Sequence, residues 1–183
     1  MNQPKRPLVL SLALTALFAA LSAALSQLSI PLGAVPIVLT QVSIFLAAGL
    51  LGWKWGTLSQ LLFVAMGALG LPVFAGFKGG PGALFGPTGG FLIGYLLAAL
   101  AAGLLMDKFG RSFKTVLPIC VLAALLIYVP GLPWLAHAAH LVGLKKILAA
   151  GMLPYLPGDA LKIALCALLI PRLYPLIKRP SRR

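Results

Sequence analysis

Only two residues of the 183-residue chain carry a side-chain carboxylate, Asp107 and Asp159. Asp159 stands in the stretch LPYLPGDALKIALCALLIP (residues 153–171), with Lys162 three positions on, at the mouth of a run otherwise suited to lipid. On a helix, a spacing of three puts both groups on one face and presents an acceptor beside a donor. A small polar ligand with N–H donors and a carbonyl matches such a pair. A charged side chain at the centre of a membrane helix costs about 2.5–3.5 kcal/mol, and ionisable residues inside a membrane bundle tend to mark a substrate path. A second reading makes Asp159 an N-cap or first-turn acid that complements the helix dipole, with Lys162 extending its ammonium towards water. The residues alone leave both open.

Other chemistry is scarce. Asp107 lies in DKFGRSFK (residues 107–114) among Lys108, Arg111 and Lys114. The expected topology puts it on the opposite membrane face from Asp159, so the two cannot share a reacting bond. His137 and His140 form an HxxH pair, but no nearby carboxylate or cysteine supplies the three or four ligands a metal needs, and an interfacial helix is the better reading. Cys120 and Cys166 occupy separate apolar runs, as packing or lipid-facing residues do. There is no GxSxG elbow. The glycine-rich GGPGALFGPTGG (residues 79–90) lacks the GxxxxGK[ST] order of a phosphate loop. The chain is therefore expected to be neither an enzyme nor an ATPase, to need no metal or cofactor, and to draw any ATP energy from another polypeptide.

The elements that must position Asp159 and Lys162 follow from composition. With 61% hydrophobic and 9% charged residues, the chain has too little charge for a water-facing surface. A spanning helix takes about 20 apolar residues, and the apolar runs give six: about 8–28, 37–51, 57–69, 91–106, 115–129 and 159–174. The expected fold is an all-α integral membrane protein, one domain over residues 1–183 built as a compact six-helix transmembrane bundle. The first run is too long for a signal-peptide core and reads as a retained helix. The formal net charge of +13 sits in small groups at the ends of apolar runs, a pattern that sets topology and gives no nucleic-acid-binding face. Lys5, Arg6, Lys54, Lys108, Arg111, Lys114, Lys178, Arg179, Arg182 and Arg183 fall on one side, against Lys78, Lys145 and Lys146 on the other. The first side, with both termini, is expected to be cytoplasmic. The longer proline- and glycine-rich connections then face out, and irregular backbone near membrane depth is tolerated where it lines a cavity. The ligand is expected there.

Helix 1 carries Ala16, Ala20 and Ala24 at four-residue spacing, with Ala19 and Ala23 in a second row. Small residues in such a row let another helix approach closely. That neighbour is either part of the same bundle or a partner membrane protein.

GALGLPVFAGFKGGPGALFGPTGGFLIGY (residues 67–95) and GMLPYLPGDALKIALCALL (residues 151–169) closely resemble the biotin transporter subunits of the BioY family, and VPIVLTQVSIFLAAGLLG (residues 35–52) resembles that family's second helix. The resemblance covers residues 31–171. It implies the substrate-binding S component of an energy-coupling factor (ECF) transporter in the bacterial cytoplasmic membrane. Such a component captures biotin from outside and associates with a transmembrane coupling protein and two ATPase subunits. Asp159 and Lys162 match the family's biotin-binding aspartate and lysine, and Gln41 and Gly90 join the implied substrate-binding set. Asp159 is expected to accept the ureido N–H groups, and Lys162 to neutralise it and donate to the ureido oxygen. The loop from Phe74 to Gly90 is expected to close over the ligand. Phe74, Phe77 and Tyr155 pack either on the ligand or as ordinary interface aromatics, and Lys78 faces either the biotin carboxylate or solvent. Ala16, Ala20 and Ala24 are the candidate docking strip. The alternatives are an S component for another vitamin, a stand-alone solute transporter, and a membrane scaffold without a ligand.

Overall fold

The structure, a computed structural model, describes residues 7–31 and 35–178. Lys5, Arg6, Arg179, Arg182, Arg183 and the side chain of Lys178, which enter the charge count above, lie outside what is described. Seven helices follow in order: α1 (Leu8–Gln27), α2 (Thr40–Ala68), α3 (Pro81–Leu84), α4 (Gly89–Phe109), α5 (Phe113–Ala138), α6 (Leu144–Gly151) and α7 (Leu156–Lys178). A two-residue antiparallel pair, β1 (Ser29–Ile30) and β2 (Ile37–Val38), joins α1 to α2. Residues 37 and 38, expected to open a helix, are thus strand, and the helix starts at Thr40.

Among the described residues, α1, α4, α5 and α7 are each long and apolar enough to cross a membrane. The 29 residues of α2 are two helical arms separated by Gly52, whose φ of 81° and ψ of 179° belong to no helix. A Cβ on Gly56 would stand 2.8 Å from Ala48 Cα, whereas eight residues of unbroken helix would separate them by about 12 Å. The chain therefore reverses at Gly52, and residues 40–51 and 53–68 run back to back. The sequence GWKWG marks this turn: glycine alone enters the positive-φ region without strain at Gly52, and Gly56 has no Cβ to hold the arms apart.

Breaking a helix frees backbone groups that the bilayer cannot hydrate. In an unbroken α2, Gly49 C=O would accept from Trp53 N–H. Here Gly49 O accepts from Arg111 Nε, and Trp53 N–H donates to Asp107 Oδ2 at 3.2 Å. Arg111, just past the Gly110 end of α4, pairs with Asp107 in its last turn, and the Arg111 guanidinium lies 4.1 Å from the Tyr174 ring centre. At the other end of the arms, the buried Ser22 hydroxyl of α1 lies within hydrogen-bond distance of Ser43 Oγ (2.9 Å) and Gln60 Oε1 (3.1 Å), one from each arm. α4 packs on both α2 and α5, α1 packs on α2, and α7 packs on α5 and α2. The core between them includes Phe45, Phe63, Met106, Ile127 and Ile170, all essentially inaccessible.

α5 departs from the expected stop near Val129 and continues through Pro130 and Pro133 to Ala138. The extra turns are held by packing. Leu135 is fully buried, Gly131 lies against the Phe91 ring, and Trp134 Nε1 donates to Gly86 O at 2.9 Å. α7 likewise begins at Leu156 and runs through Pro171 and Pro175.

Candidate functional site

At the end of the bundle away from the Gly52 turn, the start of α2, the connection after it, α5 and the first turns of α7 enclose a cavity of about 220 Å³. Clefts for drug-sized ligands run to roughly 300–1,000 Å³, so this one suits a single compact molecule.

Asp159 and Lys162 form its polar wall, 4% and 6% exposed. Lys162 Nζ lies 3.1 Å from Asp159 Oδ1 and donates to Gln41 Oε1 at 2.8 Å. Tyr128 OH, from α5, donates to Asp159 Oδ2. The backbone N–H of Asp159 is bonded to Tyr155 O at 2.9 Å. Asp159 thus sits inside the first turn of α7, and its carboxylate goes to Tyr128 and Lys162 and not back to the open amides of the helix start. Asp159 is the first-turn acid of the second reading, but its carboxylate does not cap the helix.

The valences left over define what the wall can do. A carboxylate offers about four lone-pair sites and an ammonium three protons. Tyr128 and Lys162 occupy two sites on Asp159; Gln41 and Asp159 engage two protons of Lys162. By that count two acceptor sites on Asp159 and one donor on Lys162 are left over, on side chains that line the cavity.

The remaining wall is aromatic. The Phe74 ring is 6% exposed and packs edge-on against Phe63 with centroids 5.5 Å apart; Phe91 packs the same way on Tyr128 at 6.2 Å. Tyr155 OH donates to Val35 O at 2.6 Å and ties the chain entering α2 to the start of α7. Burial pushes the Tyr155 phenol above the usual tyrosine range, so it remains a donor.

Of the residues singled out in the sequence, Gln41, Phe74, Lys78, Tyr155, Asp159 and Lys162 all line the cavity, Lys78 as an exposed rim residue. Two others do not. Phe77 is 72% exposed and lies outside the lining: its φ of 57° turns the chain so that Phe74 points in and Phe77 out. Gly90 is packed in the first turn of α4, where a Cβ would meet Pro130 O at 2.4 Å and the Trp134 side chain. It lets α4 approach α5 and does not face the cavity. Thr40, Phe91, Tyr95 and Tyr128 line the cavity without having been singled out. The one available signal was that Tyr95 and Tyr128 carry hydroxyls inside apolar runs. Ala16, Ala20 and Ala24 lie exposed on the outer face of α1, while Ala19 is buried.

The BioY family model matches residues 1–179. The biotin transporter BioY of Thermotoga maritima is 41% identical over 157 residues, covering 86% of this chain and 91% of that protein. A probable biotin transporter BioY of Pyrococcus horikoshii is 40% identical over 160 residues, covering 87% and 93%. A crystal structure of the S-component for biotin from an ECF-type ABC transporter superposes with a TM-score of 0.83 at 29% identity, covering 93% of this chain and 96% of that one. With every helix from α1 to α7 and the PGDALK segment inside the family-model match, the chain belongs to the BioY family.

Proposed function

We propose that this protein is the substrate-specific component of an ECF-type ABC transporter and that it captures biotin for uptake. Its relatives of known name supply the substrate. The observation that carries the reading to this chain is the buried Asp159–Lys162 pair, braced by Tyr128 and Gln41, with two acceptor sites and one donor left towards a cavity of small-molecule size. The ureido group of biotin carries two N–H donors and one carbonyl, the complement of that set. Asp159 takes the N–H groups, Lys162 donates to the carbonyl oxygen, and Phe74 and Tyr155 pack on the apolar part of the ligand. Lys78, at the rim, meets the carboxylate.

The two arms of α2 together with α1, α4, α5 and α7 make six crossings, and the Lys/Arg asymmetry places the Gly52 turn and both termini in the cytoplasm. The cavity then opens outward. The protein carries no ATP-binding motif of its own, so a transmembrane coupling protein and two ATPases supply the work. The exposed strip Ala16, Ala20 and Ala24 is the surface on α1 for that coupling protein.

Isothermal titration of the purified chain, free of other subunits, tests the reading. Biotin is expected to bind tightly and saturably. Binding of thiamine or riboflavin, with no heat from biotin, would overturn the substrate assignment.

A further inference from the structure

The last turn of α1 grips the segment that covers the cavity, and one side chain makes most of the contact. Gln27 Nε2 lies 3.1 Å from Phe74 O and 3.4 Å from Pro72 O, and Gln27 Oε1 accepts from the backbone N–H of Phe77 at 2.9 Å. The neighbouring Ser26 hydroxyl bonds Val73 O. The turn held this way is itself closed by a backbone pair, Phe74 N to Lys78 O at 2.9 Å and Lys78 N to Phe74 O at 3.2 Å. It delivers the Phe74 ring into the cavity wall, over Gly67, where even a Cβ would come within 2.0 Å of Phe74 Cζ. Gln27 is not part of the cavity lining. It acts on the site only through the turn.

We propose that Gln27 is a positioning residue that latches the 72–78 turn over bound ligand and thereby sets the ligand's residence time. The geometry favours a latch over a generic brace because one amide bonds both strands of the turn, accepting from one and donating to the other. Apart from these contacts the turn is held mainly by the buried Phe74 ring, packed on Phe63 and over Gly67. Leu71, Pro72, Gly76, Phe77 and Lys78 are all exposed, and Gly76 and Phe77 occupy positive-φ conformations. Releasing Gln27 frees Phe74 to swing out with the turn and opens the exit without altering Asp159 or Lys162.

The latch rests on the biotin reading for its consequence and not for its geometry, and the experiment separates the two. The full chain in lipid nanodiscs is compared as wild type, Gln27→Ala and Gln27→Glu. The readouts are biotin association and dissociation rates, hydrogen exchange of the Phe74, Phe77 and Lys78 amides without ligand, and ligand-free melting. Gln27→Ala is expected to speed biotin dissociation at least tenfold, to change association less than threefold, and to raise exchange at those amides without moving the melting temperature. Gln27→Glu keeps the acceptor for the Phe77 N–H and loses the donor to Phe74 O, so its dissociation rate is expected to fall between the two. Wild-type dissociation and exchange in Gln27→Ala would overturn the latch. So would a dissociation rate that rises only in step with a falling melting temperature. If wild type binds no biotin, the functional reading fails, and the exchange comparison still decides the latch.

Discussion

The two carboxylates of the chain sit in matching local settings at opposite ends of the bundle. Asp107 pairs with Arg111 at i,i+4 and Asp159 with Lys162 at i,i+3; all four side chains are close to fully buried. What differs is the direction of their spare hydrogen-bonding capacity. Asp107 and Arg111 turn theirs onto backbone, taking the Trp53 N–H and the Gly49 carbonyl that the break at Gly52 leaves behind. Asp159 and Lys162 bond side chains from α5 and α2 and keep capacity towards a cavity. A buried ion pair is therefore weak evidence of a binding site by itself, just as it is weak evidence of stability. The Asp107–Arg111 pair bridges a helix break; the Asp159–Lys162 pair faces a cavity.

Breaking the Asp107–Arg111 pair should have the largest effect. Arg111→Ala removes the guanidinium that pairs with Asp107 and the donor to Gly49 O. Losing one partner of a buried pair costs about 3–5 kcal/mol. Thermal unfolding of the detergent-solubilised protein is expected to show a large drop in melting temperature, with biotin affinity of the folded fraction unchanged. Wild-type stability would mean that the turn at Gly52 does not depend on this pair, and the contrast would collapse.

At the Asp159–Lys162 pair the order of effects reverses. Asp159→Asn replaces a strong acceptor with a mixed group and removes the counter-charge of Lys162. Biotin affinity is expected to fall at least tenfold, about 1.4 kcal/mol or more. Ligand-free stability should suffer less than in Arg111→Ala, because Lys162 keeps Gln41 and faces a cavity that water can enter. A folded Asp159→Asn protein with unchanged affinity would return Asp159 to a helix-end role.

The two regions also differ in how far they can be read from sequence. Asp159 and Lys162 announce themselves locally: two charges at i,i+3 in an apolar run need no knowledge of the fold. Gly52 is similarly legible, since GWKWG is a turn with interfacial tryptophans. The partners that give each pair its meaning are not legible. Tyr128 lies 31 positions from Asp159, and Arg111 lies 62 positions from Gly49. These pairings exist only once α5 packs on α7 and α4 brings its C-terminal turn to α2. Phe77 shows the opposite failure: it shares residue type and loop with Phe74, but the positive-φ pair Gly76 and Phe77 turns the chain so that only Phe74 faces in. α5 runs past Pro130 because Leu135, Gly131 and Trp134 have packing partners on other elements, which a helix-breaker rule cannot see.

Tyr128→Phe sharpens the view of the cavity site further. It removes the hydroxyl bonded to Asp159 Oδ2 and leaves the ring against Phe91. A hydrogen bond of this kind contributes about 1 kcal/mol net, so biotin affinity is expected to fall roughly fivefold, less than in Asp159→Asn. Calorimetry on both variants ranks them. If Tyr128→Phe is the worse of the two, the phenol and not the carboxylate is the principal ligand contact.

The smallest effect on affinity is expected from a residue that belongs to neither region. Ala20 is exposed on the outer face of α1, between the exposed Ala16 and Ala24, and its neighbour Ala19 is the one turned into the bundle. Overpacking a core costs about 1–3 kcal/mol, but a side chain enlarged at Ala20 points away from the core and from the cavity. Ala20→Trp is therefore expected to keep biotin affinity within about twofold, roughly 0.4 kcal/mol, and to leave melting unchanged. If the strip meets the coupling protein, the indole holds the two helices apart, and biotin uptake and co-purification with the ATPase module are lost together. Affinity, melting and complex formation are measured on one preparation. Normal assembly and uptake would remove the strip as the docking surface, and a joint fall in affinity and melting would place Ala20 inside the packing of the bundle.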